Sequence, residues 1–513
     1  MIYIIHQHNT VKQVLDNNFN ELNGQCDGNI VETLFSIAHK FHEQLLIWCN
    51  VSYKNHINEQ AIPHIFHHKK IMTSFSVSGE HFLPEALGYV DRSIFINVKN
   101  HVLYPTWLMS SDIGGIHASV LNTIVHVVKH HKNFDYFLNS LAKQAMPKGL
   151  FCYSAPQLLK GKPTTIVEKQ PMPYMQLFKF VRQHYKLQWV YVLFFAIFLN
   201  ERKCALIPLV SALFYKRNTG ELDLSGMPIK STKQVIDKRD IDVIIPTIGR
   251  KAYLYDVLKD LSKQTVLPKN VIIVEQNPNT ASTTELTYLK DETWPFRLKH
   301  IFTHQTGACN ARNVALDLVE NEWVFLNDDD NRFDETLIEN CFDTLAKYGI
   351  TCLVSKYIQA DETLREKFNV IHQTGIFGSG NCVLKTNTIK NIRFNMALEF
   401  GYGEDFDFGV QLRNDGTDVV FCPNIEIKHL KAPMGGFRTA YKHPWLHEAI
   451  QPKPSPTIMY NYKTHHTKNQ VYSYKILLFL KLLKNESWYN LFPFVKAFNK
   501  RWKASEIWKE RLG

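Results

Sequence analysis

The second half of the sequence predicts an α/β domain with a mixed, mostly parallel sheet, and three stretches predict it. Ile241–Pro246 (IDVIIP) is a short β-rich run that passes through Thr247, Ile248, Gly249 and Arg250 into a helical pattern at Tyr253, Val257, Leu258 and Leu261; Val271–Val274 follows as a strand. Strand, loop, helix and strand at this spacing form a βαβ unit, whose two strands are parallel. Trp323–Leu326 is an apolar strand that ends abruptly in Asn327, Asp328, Asp329 and Asp330. Open α/β sheets bind ligands at such carboxyl edges, where clustered carboxylates offer hard oxygens to a divalent cation. Taken alone, the triplet suits a solvated turn equally well. Third, GYGEDFDFGVQLR sets Glu404, Asp405 and Asp407 at a helix start, where the helix dipole favours negative charge.

The bulk composition bounds the rest. A chain of 513 residues exceeds one core, so two or three domains are expected, and 45% apolar with 21% charged residues is ordinary for a folded globular protein. The formal charge is +11, but from Lys463 to Gly513 eleven Lys/Arg stand against three Glu, a local net of +8. Basic residues gathered in an apolar, aromatic tail argue against a nucleic-acid binder and for an anionic surface. Nine cysteines (Cys26, Cys49, Cys152, Cys204, Cys309, Cys341, Cys352, Cys382, Cys422) are scattered without a CxxC pair, which argues against disulfides or structural zinc and for a reducing compartment. The amino terminus has no basic segment followed by an apolar stretch of signal-peptide length, so the expected location is cytoplasmic.

Along the chain, Ile30–Trp48 places apolar residues at helical spacing, and Ser93–Val98 alternates like a strand. A second helix is expected over Ile113–Val128, entered through Ser111, Asp112, Gly114 and Gly115. His64, His67 and His68, and His126, His130 and His131, form two clusters. No neighbouring Glu or Cys completes a ligand set, so these read as solvated surface rather than a zinc site. Residues 189–215 hold two apolar runs separated by Asn200, Glu201, Arg202 and Lys203. Neither run reaches the roughly twenty residues that a bilayer requires, which leaves a buried helical hairpin or an element lying in a membrane interface. Arg217–Lys238 reads as a linker.

In the second half, Thr247–Arg250 and Glu275 fall at adjacent strand ends, where Glu275 can accept hydrogen bonds from a base or ribose. Gly307 opens a helix whose first-turn N–H groups, beside Arg312 and Asn313, suit a diphosphate or ribose. Phe377–Asn381 (FGSGN) is a glycine loop before a strand, and the glycines ahead of Glu404 are expected to leave room for a ligand to approach. Ile425–Leu430 presents His429, and Pro433, Met434, Gly435 and Gly436 read as a flap. The tail, Val471–Lys484 followed by Trp488, Phe492, Phe494, Phe498, Trp502 and Trp508, suits either a lipid headgroup region or a helical pair packed on the preceding domain.

Taken together, IIPTIGR, Gln264-Thr265, GACNARN, FLNDDD, GSGN and GEDFDFGVQLR, in this order over roughly residues 240–435, resemble the family 2 glycosyltransferases of GT-A fold. The resemblance implies a nucleotide-diphosphate sugar donor, Mn2+ or Mg2+, and an inverting displacement onto an acceptor hydroxyl of a glycan or lipid-linked molecule, as in surface polysaccharide or glycolipid synthesis. It implies that Thr247, Arg250, Glu275, Arg312, Asn313 and Asp328 bind the nucleotide sugar, with Glu275 where aspartate is more usual. The aspartate cluster corresponds to the family's DxD motif, with either Asn327 and Asp329 or Asp328 and Asp330 in its two positions; the second pairing keeps both carboxylates. Asp328, Asp329, Asp330 and His429 are thus the candidate metal ligands, Asp405 the base, and Gly380, Asn381 and Glu404 the acceptor side. The resulting organisation is an α/β domain over 1–185, an apolar hairpin and linker over 186–238, the GT-A catalytic domain over 239–440 and a basic, aromatic helical extension over 441–513. Tyr104–Asn122 resembles the acceptor side of sugar-transferring domains, so the first domain is a candidate for a divergent copy without the aspartate cluster. The rival reading is a catalytically silent nucleotide-sugar-binding scaffold. Peripheral contact with an anionic membrane on its cytoplasmic face is expected, and a nucleic-acid partner is not.

Overall fold

The computed structural model describes residues 1–22, 28–124, 131–163, 165–220, 222–358, 369–433, 441–484 and 491–512. It divides into two compact units, residues 1–233 with 466–478 and residues 234–465 with 479–513.

Among the described residues, the first unit holds strands β1 (Ile2–Gln7), β2 (Thr10–Leu15), β3 (Leu45–Asn50), β4 (Ile71–Phe75), β5 (Tyr104–Pro105), β6 (Ile113–His117) and β7 (Phe151–Ser154). They form one sheet in the order β2-β1-β3-β6-β4-β7-β5. The pairs β1/β3 and β4/β7 are parallel and the others antiparallel. Its helices are α1 (Ile30–Lys40), α2 (Ile62–Ile65), α3 (Ala118–Ile124), α4 (Phe134–Ala145), α5 (Tyr174–His184), α6 (Gln188–Ala196) and α7 (Leu206–Leu213). Both faces of the sheet are buried, so strand residues alternate between two cores. Ile2, Ile4, Leu46 and Trp48 pack with the helices, while Tyr3, Ile5, Ile47 and Cys49 pack with Tyr53, Ile57 and Leu158.

Four expectations are corrected. The helical reading of Ile30–Trp48 stops at Lys40, and Leu45–Asn50 is β3. An apolar run buried on both faces does not alternate in hydrophobicity, so spacing alone cannot separate it from a helix. Ile113–Val128 begins as strand β6 and turns helical only at Ala118. Gly114 is there because a side chain at that position would meet the Trp48 ring at 2.3 Å. The alternating Ser93–Val98 segment is a 3₁₀ turn at Ile94–Ile96. His68 is buried with its ring edge-on to Phe151, and burial pushes its pKa down to about 3, so it is not solvated surface, whereas His64 is exposed. His126, His130, Met434, Gly435, Gly436 and Trp488 lie outside the described residues.

The apolar stretch 189–215 is a helical hairpin. Helices α6 and α7 flank a π-helical turn, Ile197–Glu201, closed by Arg202 in the left-handed region at φ 58°. Val190, Leu193, Leu209 and Ala212 join the first unit's core, whereas Phe195, Phe198, Ile207 and Phe214 face outward. No described helix is long and apolar enough to cross a membrane.

The second unit holds β8 (Ile241–Thr247), β9 (Asn270–Gln276), β10 (Arg297–Thr303), β11 (Trp323–Asn327), β12 (Asn331–Arg332), β13 (Cys352–Ile358), β14 (His372–Gln373), β15 (Asn381–Lys385) and β16 (Val420–His429). Their order is β10-β9-β8-β11-β15-β13-β16-β12, with β14 beside β16. β10, β9, β8 and β11 are mutually parallel, β15 is antiparallel to β11 and to β13, and β16 runs parallel to β13. Helices α8 (Lys251–Ser262), α9 (Tyr288–Asp291), α10 (Ala308–Leu316), α11 (Leu337–Tyr348) and α12 (Glu404–Asn414) flank this sheet. This is the mixed, mostly parallel sheet that the βαβ spacing predicts. Ile244, Val274, Val324 and Leu326 pack on α10 and α12 through Ala311, Ala315, Phe408 and Leu412.

The carboxyl-terminal part is helical: α13 (Pro456–His465), α14 (Lys468–Leu483) and α15 (Leu491–Glu510). Within the second unit α15 packs back rather than standing free. Ser505 Oγ donates to Pro454 O at 2.7 Å, the Trp508 ring stands 5.9 Å from that of Trp445, and Phe498 and Trp502 are buried.

Candidate active site

The parallel strands end their apolar runs at one edge, and there the chain spends its charged residues. The aspartate triplet follows β11 in a turn, and Arg250 reaches two of its members, Asp329 and Asp330. Asp329 is taken up by the chain itself: Thr247 Oγ1 donates to its Oδ2 at 2.7 Å and Arg250 Nη1 to its Oδ1 at 2.5 Å. Burial pushes its pKa up to about 6 against the pull of Arg250.

Asp328, Asp330 and His429 point to a common space instead, each offering a ligand atom within 4.8 Å of the others. Asp330 Oδ2 accepts from Ala432 N at 2.8 Å, while its buried Oδ1 has no well-aligned donor; His429 Nε2 is 3.3 Å away. Burial opposes the Asp330 charge, yet hydrogen bonds from His429 and the Ala432 N–H, with the charges of His429 and Arg250, hold its pKa below the usual value. Two carboxylates and one imidazole, with one buried carboxylate oxygen that has no well-aligned donor, fit a hard divalent cation such as Mn2+ or Mg2+. The His429 ring is held by stacking on Tyr357 at 4.7 Å, and the Tyr357 hydroxyl donates to Asp328 Oδ2 at 3.1 Å.

A second acidic centre lies at the start of α12. Burial, and then the charge of its neighbour Asp405, push Glu404 up to about 7. Asp405 is also raised, chiefly by burial, although Arg312 and hydrogen bonds from Ser379 pull the other way. Its Oδ1 is buried with no hydrogen-bond partner. Arg312 joins the two centres. Its Nη2 donates to Asp328 Oδ1 at 3.1 Å, its guanidinium lies 5.5 Å from the Phe394 ring centre, and the charges of Asp328, Asp405 and Glu404 all stabilise it against burial.

Other sequence-derived residues have local partners. Glu275 pairs in register with Thr247 but accepts from Thr284 Oγ1, Glu285 N and His300 Nε2. Asn313 clasps the Phe394 backbone with both ends of its amide, each at 2.8 Å, and so positions the ring under Arg312. Gly380 lies against Asp328: a Cβ there would stand 2.0 Å from Oδ2. Asn381 is buried, donating to Ser355 O while its own Oδ1 has no partner.

Two expectations are corrected. The first-turn N–H groups of α10 are not open to a diphosphate, because Glu399 Oε1 and Oε2 accept from Cys309 N at 3.1 Å and Asn310 N at 2.7 Å. The glycines before Glu404 do not leave room for a ligand either. Thr457 and Asn461 of α13 fill that space, and a Cβ on Gly403, whose φ is +109°, would stand 1.9 Å from Asn461 Nδ2. Glu399, Tyr357 and the role of α13 carried no sequence signal; Ser379 was visible only as part of the glycine loop.

The Glu404 shift has a measurable consequence. An acid whose folded pKa exceeds its ordinary value of 4.5 favours the folded state most below that value, and this stability is lost as pH rises through about 7. In cation-free buffer Glu404→Gln is therefore expected to be more stable than wild type at alkaline pH by about 1–3 kcal/mol, with the advantage fading below about pH 4. Denaturant titrations across that range check it. An advantage that does not change with pH contradicts it.

Comparison with known proteins finds a family match inside the second unit. The sequence model described as Glycosyl transferase family 2 matches residues 242–402. No curated protein matches the chain in sequence. Among solved structures, S. aureus TarS is 18% identical, with 38% of this chain and 37% of that chain covered and a TM-score of 0.32. TarS 1–349 in complex with UDP-GlcNAc is 16% identical, with 50% and 79% covered and a TM-score of 0.38. This chain thus spans little more than a third of the full TarS chain, at 37%. Residues 242–402, which carry the aspartate triplet and run up to the start of α12, are thus similar to the family 2 glycosyltransferases.

Proposed function

We propose that the second unit transfers a sugar, with inversion, from a nucleotide-diphosphate donor to a hydroxyl of a glycan or lipid-linked acceptor in surface polysaccharide or glycolipid synthesis. The observation that carries this reading is the pair of acidic centres with separate electrostatics, joined by Arg312. A catalytically silent scaffold would have no use for both.

Asp328, Asp330 and His429 would hold Mn2+ or Mg2+. Such an ion, when bound, supplies Lewis-acid stabilisation of the charge developing on a leaving diphosphate. Every other role falls to side chains. Arg312 adds a buried positive charge next to Asp328, where a phosphate oxygen is stabilised without any solvent reorganisation. Asp329 fixes Thr247 and Arg250 at the donor side. Asp405 is the general base. Its pKa is raised above that of an ordinary carboxylate, which brings it toward the operating pH, and its partnerless Oδ1 is free to accept the hydrogen bond of an attacking hydroxyl. Glu404 beside it orients the acceptor.

The expected outcome for Asp405→Asn is a fall in nucleoside diphosphate release of about 10²- to 10⁴-fold, across a panel of nucleotide sugars with Mn2+, while donor binding persists. Undiminished release removes Asp405 from the role of base.

The proposal places the enzyme in the cytoplasm, peripheral on an anionic leaflet. The outer face of the α6–α7 hairpin supports this: Phe195, Ile207 and Phe214 are 54%, 76% and 83% exposed, and the exposed cations Arg202, Lys203, Lys216 and Arg217 flank them. Apolar side chains bordered by basic ones suit insertion to headgroup depth. Replacing Phe195, Ile207 and Phe214 together by Ser should lower the partition onto phosphatidylglycerol vesicles by about tenfold or more. Equal sedimentation of variant and wild type, or none by either, sinks this placement.

A further inference from the structure

The two sheets share one pairing pattern. In the second unit β8 runs parallel to β11, β15 and β13 follow antiparallel in turn, β16 lies parallel to β13, and β12 is antiparallel at the edge. In the first unit β1 runs parallel to β3, β6 and β4 follow antiparallel, β7 lies parallel to β4, and β5 is antiparallel at the edge. Five of the six strands also come in the same chain order: β1, β3, β4, β6 and β7 answer to β8, β11, β13, β15 and β16. The edge strand is the exception, since β12 precedes β13 whereas β5 follows β4. A helix enters the second of the six matched strands in both, α1 before β3 and α10 before β11. α4 stands before β7 as α12 stands before β16.

The correspondence extends to atoms. Asp328 N donates to Gly380 O at 3.3 Å, and Asn50 N donates to Asp112 O at 2.7 Å, which matches Asn50 with Asp328 and Asp112 with Gly380. One residue earlier, Ser111 then matches Ser379. Ser379 hydrogen-bonds Asp405, the second residue of α12. Ser111 N donates at 3.1 Å to Oδ1 of Asp135, the second residue of α4.

The cation corner is what differs. Asn50, Val51 and Ser52 stand in place of the three aspartates, and β7 stops at Ser154 where β16 continues to His429. The carboxylate has moved to the neighbouring strand. A Cβ on Gly380 would collide with the Asp328 carboxyl, and at the matching position Asp112 bears a carboxyl of its own. Lys169 Nζ lies 3.2 Å from Asp112 Oδ1 and also donates to Ser110 Oγ, the Lys169 and Asp112 side chains being only 9% and 3% exposed. The donor side differs as well: β1 turns directly into antiparallel β2, where β8 passes through α8 into parallel β9.

We propose that the first unit is a degenerate second copy of the glycosyltransferase sheet, in which the base corner survives as Asp135 and the divalent-cation corner is closed by the Lys169–Asp112 ion pair. The Lys169 ammonium supplies there the positive charge that a divalent ion would supply in the second unit, and the missing βαβ unit removes the nucleotide side. The first unit therefore turns over no donor. This assignment rests on the roles proposed for the second unit.

The test is a Mn2+ titration of the full chain followed by electron paramagnetic resonance. Wild type should bind one ion, and Asp330→Ala none; an ion that remains in Asp330→Ala overturns the proposal. The double variant Asn50→Asp/Lys169→Ala reopens the corner with two carboxylates and should raise the stoichiometry from one to two. A stoichiometry unchanged in a double variant whose circular dichroism matches wild type overturns it. Should the double variant not fold, donor turnover decides: residual turnover in Asp405→Asn that disappears on adding Asp135→Asn places a second active centre in the first unit, and its absence upholds the copy as silent. A wild type that binds no Mn2+ and turns over no donor contradicts the second unit's function, while the gain of a site in the double variant still reads out the copy.

Discussion

The burial of Arg312 is the constraint on which the second unit depends. A guanidinium removed from water costs several kcal/mol unless carboxylates and hydrogen bonds replace the solvent. Here Asp328 takes one end, and the charges of Asp405 and Glu404 act from the other side. Each acidic centre would be harder to hold without the cation between them, because burial, reinforced by neighbouring carboxylates, raises both Glu404 and Asp405. The arrangement works only if α10, β11 and α12 keep their spacing. Glu399 ties the start of α10, and Asn313 ties Phe394 beneath the guanidinium.

The same economy governs the triplet. Three adjacent carboxylates repel one another, and the fold separates their tasks in the turn that follows β11, with Arg250 beside both Asp329 and Asp330. Asp329 turns inward to Thr247 and Arg250, a structural ion pair. Asp328 and Asp330 are left to meet His429, which arrives from the far end of β16. The adjacent strand must carry a glycine for this to happen, since any side chain on Gly380 would enter the Asp328 carboxyl. In the first unit the reverse choice is made at the matching pair, with Asp112 on that strand and Asn50 opposite, and a lysine completes the charge balance.

Much of the second unit was legible because its signals are local. The run Ile241–Pro246, the turn at Gly249 and the helical spacing after it lie within one βαβ unit, and the aspartates follow their strand directly. What was not legible depends on residues distant in sequence. Glu399 reaches the α10 N-terminus 90 positions after Cys309, and nothing around it marks it as a cap. The glycines before Glu404 look permissive in sequence because the residues that fill their space, Thr457 and Asn461, come from α13. The first unit was misread where strands are buried on both faces, as at Leu45–Trp48 and Ile113–His117, because such strands lack the alternation that marks a half-exposed one.

In the proposed reaction the carboxyl edge of β11 brings a divalent cation to a donor diphosphate. Relaxation of the phosphorus resonances of a bound nucleoside diphosphate, measured with substoichiometric Mn2+, tests that contact without any need to know the sugar or the acceptor. Strong paramagnetic enhancement is expected at both phosphates with wild type, and its loss in Asp330→Ala while the diphosphate still binds. Equal enhancement in the two proteins, or none in wild type with the diphosphate bound, would contradict it.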